Sequence, residues 1–122
     1  MVRAGQGASA AAPRYDRAVP APIDHPRLDD VSLASVLHAL SDPVRLAIVR
    51  MAAEEDGLPC RAFERAIPKS TMSGHWRVLR GAGLIRQEGR GTARINSLRR
   101  AEVEARFPGL LETVLALAEP EG

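Results

Sequence analysis

The sequence predicts a mainly α-helical fold with one small β-hairpin. Three observations carry that prediction. Apolar residues recur at helical spacing over several segments between residues 31 and 118. Two short strand-like runs, Leu84–Glu88 and Thr92–Leu98, flank Gly89-Arg90-Gly91, whose glycines supply the permissive backbone of a hairpin tip. Charge gathers around the hairpin: residues 61–100 hold ten Lys/Arg against two acids, Glu64 and Glu88, in a chain of net charge +2. One basic segment on a nearly neutral protein is the electrostatic footprint of a polyanion partner. A helix followed by a basic hairpin suggests that the polyanion is duplex DNA.

Bulk properties narrow the classes. At 122 residues the chain builds one domain with one modest core. Its 45% hydrophobic and 26% charged content is that of an ordinary globular protein. Two Phe, one Trp and one Tyr are too few for stacking on single-stranded bases to be the main binding mode. A lone cysteine, Cys60, excludes an intramolecular disulfide and a cysteine-built zinc cluster, and favours a reducing cytosol. No apolar run approaches the roughly 20 residues that cross a bilayer, and the start lacks the apolar stretch of a secretory signal. A cytoplasmic protein without membrane contact is therefore expected.

Residues 1–27, rich in Ala, Gly and Pro without an apolar period, read as a flexible arm, with the folded domain over 28–122. Asp29 or Asp30 is expected to cap a first helix over roughly 31–41, with Leu33, Val36, Leu37 and Leu40 on one face. Asp42-Pro43 is a strong start signal for a second helix, which runs to about Asp56 with Leu46, Val49 and Ala53 on one face and Ile48 and Ala52 beside it. Gly57 and Pro59 stop it. A short helix over about 60–66, a turn at Ile67-Pro68-Lys69 and a helix over roughly 71–82 capped by Ser70 make a helix-turn-helix, the arrangement that DNA readers use. In the second strand Thr92, Arg94 and Asn96 alternate with Ala93, Ile95 and Ser97, as one wet and one dry face. The last segment carries Val103, Phe107, Leu110, Leu111, Val114, Leu115 and Ala118, broken at Pro108 into one helix to about Arg106 and another from Pro108. A chain this small cannot cover that stripe alone, so Leu110 and Leu111 argue for a two-fold dimer.

On a helical wheel, Met72, His75, Trp76 and Leu79 face inward, and Ser70, Gly74, Arg77 and Gly81 lie opposite, flanked by Thr71, Ser73, Val78 and Arg80. The outward face of such a helix enters the major groove. Arg77 is the best candidate for a guanine contact, since its fork binds O6 and N7 together. Thr71 and Ser73 suit bases or phosphates, and Lys69 with the free N–H groups of Ser70 and Thr71 suits a phosphate. Arg86, Arg90 and Arg94 on the hairpin are expected along the neighbouring minor groove or backbone.

The run Leu37-His38-Ala39-Leu40-Ser41-Asp42-Pro43-Val44-Arg45-Leu46-Ala47-Ile48, then Ser70-Thr71-Met72-Ser73 with His75, then Leu79-Arg80 and Gly83-Leu84-Ile85, resembles the ArsR-type winged-helix transcriptional regulators over about residues 28–118. The resemblance implies a winged helix-turn-helix in bacterial cytoplasm, dimerised through its first and last helices. Val36, Leu37, Leu110, Leu111, Val114 and Leu115 would form that interface. It further implies repression at a palindromic operator, relieved by a metal, a small molecule or an oxidant.

Two departures stand out. Where the family usually has a polar side chain this chain has Gly74, and where Glu is common it has Gly81. These glycines read either as close backbone approach to DNA or as weakened readout, which leaves a protein-interaction module as the rival function. The family's metal ligands are also missing: Cys60 stands alone, residues 98–122 lack His and Cys, and His25, His38 and His75 share no ligand spacing. No metal or cofactor is expected, and the effector is open. His75 reads as a packed histidine beside Trp76, and His38 as a surface residue. Cys60 reads either as an inert buried thiol, the ordinary case, or as a redox switch activated by Arg61 and a helix N-terminus. No nucleophile–base pair, phosphate loop or paired carboxylate suggests an enzyme.

Overall fold

The computed structural model describes residues 23–63 and 67–118. The arm expected over 1–27 lies outside the described residues as far as residue 22. From His25 onward the chain is already docked, earlier than the expected boundary at Leu28. His25 Nε2 accepts from the Gln87 N–H at 2.9 Å, and Arg99 Nη1 donates to the Pro26 carbonyl at 2.8 Å.

Among the described residues, five α-helices and a three-stranded antiparallel sheet follow: α1 Leu33–Leu40, α2 Pro43–Glu54, β1 Leu58–Pro59, α3 Lys69–Gly81, β2 Ile85–Arg90, β3 Ala93–Leu98, α4 Arg100–Arg106 and α5 Leu110–Leu117. Short 3-10 turns cover Leu28–Asp30 and Cys60–Phe63, and the sheet order is β1-β3-β2. The short helix expected over 60–66 is thus a 3-10 turn as far as Phe63, its remainder lying outside the described residues.

Local chemistry explains the helix ends. Asp42 Oδ2 accepts from the N–H groups of Val44 (2.9 Å) and Arg45 (3.1 Å), with Pro43 at the first helical position, as the sequence predicts. Burial pushes the Asp42 pKa up, but those backbone N–H groups and neighbouring cations outweigh it and hold the carboxyl below its usual value. The α1 cap is Ser32, whose Oγ accepts from Ser35 N–H, rather than Asp29 or Asp30. Those aspartates lie in the preceding 3-10 turn. The α3 helix begins at Lys69 after Pro68, so Ser70 sits inside its first turn instead of capping it. The α5 helix starts at Leu110, because Pro108 and Gly109 are used in the turn.

The core joins Val36, Ile48, Val49, Phe63, Trp76, Leu79, Leu84, Ile85, Val103 and Leu111. On α2 the buried positions are Arg45, Ala47, Ile48, Val49 and Ala52, while Leu46 and Ala53 are only half-buried. The inward face is therefore rotated from the expected one toward Ile48 and Ala52. Phe63 and Trp76 meet edge to face at 5.2 Å between centroids. At Gly83 φ is +75°, and an added Cβ would lie 3.2 Å from Leu28 Cδ2 and 3.3 Å from Val31 Cγ2. Glycine there lets the docked N-terminal strap, residues 25–31, pass close to the end of α3.

Register corrects the hairpin tip. Arg90 pairs with Ala93, leaving Gly91-Thr92 as a two-residue turn, with φ of +63° at Gly91. β1, absent from the sequence prediction, pairs Leu58 with Asn96 and Pro59 with Ile95. It covers β3 and makes Asn96, expected on the wet face, fully buried.

Candidate nucleic-acid interface

Helix α3 is held by the side chains it turns inward. Met72, Trp76 and Leu79 are buried, and His75 is half-buried beside them. Arg45 reaches His75 from α2: its Nη1 lies 3.2 Å from His75 Nδ1, while Nε and Nη2 donate to the carbonyls of Ala39 and His38. One guanidinium thereby closes the C-terminal end of α1 and braces α3. His38, as expected, is exposed.

That leaves Lys69, Ser70, Thr71, Ser73, Arg77 and Gly81 exposed, with Gly74 and Arg80 half-buried. Nothing lies within 4 Å of a Cβ built at Gly74 or Gly81, so neither glycine is required by packing within the chain.

A buried polar relay sets the hairpin against this helix. Arg80 Nη1 donates to Gln87 Oε1 (2.7 Å), Gln87 Nε2 donates to Asn96 Oδ1 (2.8 Å), and Asn96 Nδ2 donates to the Leu58 carbonyl (3.0 Å). Gln87 is 1% and Asn96 0% exposed. Cys60 Sγ accepts from Asn96 Nδ2 at 3.4 Å and Gln87 Nε2 at 3.8 Å. The half-buried thiol is thus part of the joint between helix and hairpin. Sequence reasoning missed this relay; its one available signal was a glutamine and an asparagine facing each other across the hairpin.

The hairpin arginines divide between two faces. Arg94 shares the face of Gln87 and Asn96, and together with Lys69, Arg77 and Arg80 it surrounds a cavity of about 430 Å³ between α3 and the sheet. Arg90 is exposed at the end of β2, with Glu88 at 4.0 Å. Arg86 alternates onto the opposite face, where Nη2 contacts Glu102 Oε1 at 3.3 Å, so it does not join the group around Arg77.

Glu102 is also gripped through both oxygens by the buried Arg99, at 2.9 and 3.0 Å. The Arg99 hydrogen bond, opposed by partial burial and aided by Arg86, lowers the Glu102 pKa to about 2. Arg106 donates to the carbonyls of Leu28 and Val31, so Arg99 and Arg106 together clamp the N-terminal strap.

The candidate dimer residues separate too. Val36 and Leu111 are buried in the chain's own core, which corrects their assignment to an interface. Leu37 is 46% exposed, and Leu110, Val114 and Leu115 are half-buried. Leu33 (48%) and Leu117 (74%), not expected there, are exposed as well. The α1 stripe is wider than one contact can cover, and its Leu33–Leu37 edge stays outside. Among the described residues no three His, Cys, Asp or Glu side chains converge as metal ligands, and no helix is long and apolar enough to cross a membrane.

A helix-turn-helix whose second helix is followed by a cation-bearing hairpin defines the winged helix-turn-helix class. A helix-turn-helix domain family matches residues 40–88, from the end of α1 to β2. Over 94 residues the chain is 35% identical to the uncharacterized HTH-type transcriptional regulator YceK of Bacillus subtilis (strain 168), an alignment covering 70% of this chain and 89% of that relative. The chain belongs to the HTH-type transcriptional regulators.

Proposed function

We propose that this protein is an ArsR-type homodimeric repressor that reads a palindromic operator in duplex DNA in the bacterial cytoplasm. Arg77 carries the reading. It is exposed midway along the outward face of α3, where its planar fork suits guanine O6 and N7. Thr71, Ser73 and the Gly74 backbone accompany it in the groove. Lys69 and the N–H groups of Ser70 and Thr71 take one phosphate. Arg80, Arg90 and Arg94 follow the flanking backbone or minor groove, with Arg86 the most distant member. The dimer forms through Leu33 and Leu37 of α1 and Leu110, Val114, Leu115 and Leu117 of α5, because each helix leaves apolar side chains fully or partly open to solvent. No catalytic step, metal or cofactor enters this reading.

Gel-shift titration against the DNA upstream of its own gene tests it. Arg77→Ala should cost roughly 1–3 kcal/mol and relax one operator position, whereas Arg90→Ala should weaken all sequences alike and reduce the log–log salt slope by about 1. Unchanged affinity and selectivity in Arg77→Ala would overturn the assignment of α3 as the reading helix. A second reading, a winged-helix module for acidic protein partners, is favoured by Gly74 and Gly81, which remove side chains from the outward face. A complete lack of competitor-resistant DNA complexes would select it.

A further inference from the structure

The cavity between α3 and the hairpin has two kinds of wall. Lys69, Arg77, Arg80 and Arg94 supply four cations, and no carboxylate joins them among the described residues that line it. Ile67, Met72 and Trp76 supply the apolar part of its lining. At about 430 Å³ it falls within the size range of small-molecule sites. Part of its wall is held in place by Gln87, which is almost fully buried and hydrogen-bonded to both Arg80 and Asn96. A preformed wall lowers the ordering penalty for a ligand.

A DNA phosphate accounts for only half of these features. It would satisfy the cations, but a hydrated phosphodiester gains nothing from the apolar lining of Met72 and Trp76. We propose that the cavity binds a small amphipathic organic anion, one carboxylate, sulfonate or phosphate group on an aromatic or branched apolar body, and that this ligand displaces DNA. The anionic group lies among Lys69, Arg77 and Arg94, relieving their mutual repulsion, and the apolar body rests against Met72 and Trp76. Displacement follows because the ligand occupies the cations assigned to the operator, and rests on that assignment; the binding site itself does not.

Trp76, the only tryptophan of the chain, is a built-in reporter on the cavity wall. The probe is 8-anilino-1-naphthalenesulfonate, with its uncharged parent N-phenyl-1-naphthylamine as comparison. Saturable quenching of Trp76 by the sulfonate is expected, weakened at least fivefold in the surface variants Lys69→Gln and Arg94→Gln. Arg100→Gln, on α4 and outside the cavity, should leave it unchanged. Absence of quenching, equal binding of the uncharged parent, or identical binding by Arg94→Gln overturns the site. Competition is then read by anisotropy of labelled upstream DNA, whose apparent Kd should rise with probe occupancy. Quenching without any rise overturns displacement. Quenching in a protein that binds no DNA at any salt supports the site and overturns the regulator reading instead.

Discussion

Arg80 on α3 and Gln87 on the hairpin are joined by a 2.7 Å hydrogen bond, and the glutamine is almost wholly excluded from solvent. This contact fixes the angle between the two parts of the proposed DNA-reading surface. A buried amide that loses its partner keeps its desolvation penalty, so Gln87→Leu, which takes the partner from Arg80 Nη1 and from the buried Asn96 Oδ1, should destabilise by about 1–3 kcal/mol. In a double-mutant cycle with Arg80→Met, urea unfolding should yield a coupling of about 0.5–3 kcal/mol. Additive losses would show that helix and hairpin are positioned independently.

Gly74 lies inside α3 with open space around it. Gly74→Ala should therefore stabilise the protein by about 1 kcal/mol through helix propensity alone, measured as a raised urea midpoint. DNA affinity separates the two readings of this glycine. A loss despite the gain in stability means that the backbone needs close approach to the duplex. An unchanged or improved affinity means that the position has given up readout.

Acidification below neutrality should loosen the N-terminal strap through His25. Burial, then the neighbouring Arg86, Arg99 and Arg80, lower its pKa beneath the ordinary histidine value of 6.5 against a smaller opposing effect of Asp24. Its Nε2 accepts the Gln87 N–H, so protonation there breaks the bond. The folded state binds the proton less readily than the unfolded one. The strap's contribution is thus complete above about pH 6.5 and falls as the pH drops toward the lowered folded value. Hydrogen exchange of the Gln87 amide should quicken across that window beyond its intrinsic pH dependence. His25→Gln should abolish that excess, and an NMR titration placing His25 above 6.5 would contradict the mechanism.

A second loss belongs to stronger acid. Glu102 has its pKa lowered from 4.5 to about 2 by Arg99, so its contribution is present above about 4.5 and disappears as the pH falls toward 2. Protonation leaves the Arg99 guanidinium, whose side chain is 4% exposed, without its carboxylate. Thermal unfolding should show this loss in the native chain and not in Glu102→Gln, which is destabilised at neutral pH from the outset. Parallel curves for the two proteins would remove Glu102 from the acid transition.

The exposed apolar edge gives an oligomeric prediction. Light scattering should report a dimer for the native chain and a monomer for the double variant Leu37→Ser, Leu117→Ser, with unchanged helical circular dichroism. A native monomer at micromolar concentration would refute the proposed interface.

Short-range chemistry was legible from residue order alone. Asp42-Pro43 marks the start of α2, and the polar and apolar sides of α3 separate as Arg77 and Trp76 require. The hairpin follows from two β-prone runs around glycines. Each of these signals acts within a few residues, so neighbours along the chain suffice to read it. Contacts between distant segments decided the rest. Asn96 is polar, yet β1 and Gln87 bury it by matching its hydrogen bonds across 38 and 9 residues of sequence. Val36 and Leu37 are adjacent in one apolar stripe, yet one enters the core and the other meets solvent, because helix packing covers only part of the stripe's width. The cavity between Arg77, Arg94 and Trp76 likewise exists only once the hairpin has closed over α3, since no local periodicity encodes the distance between two elements.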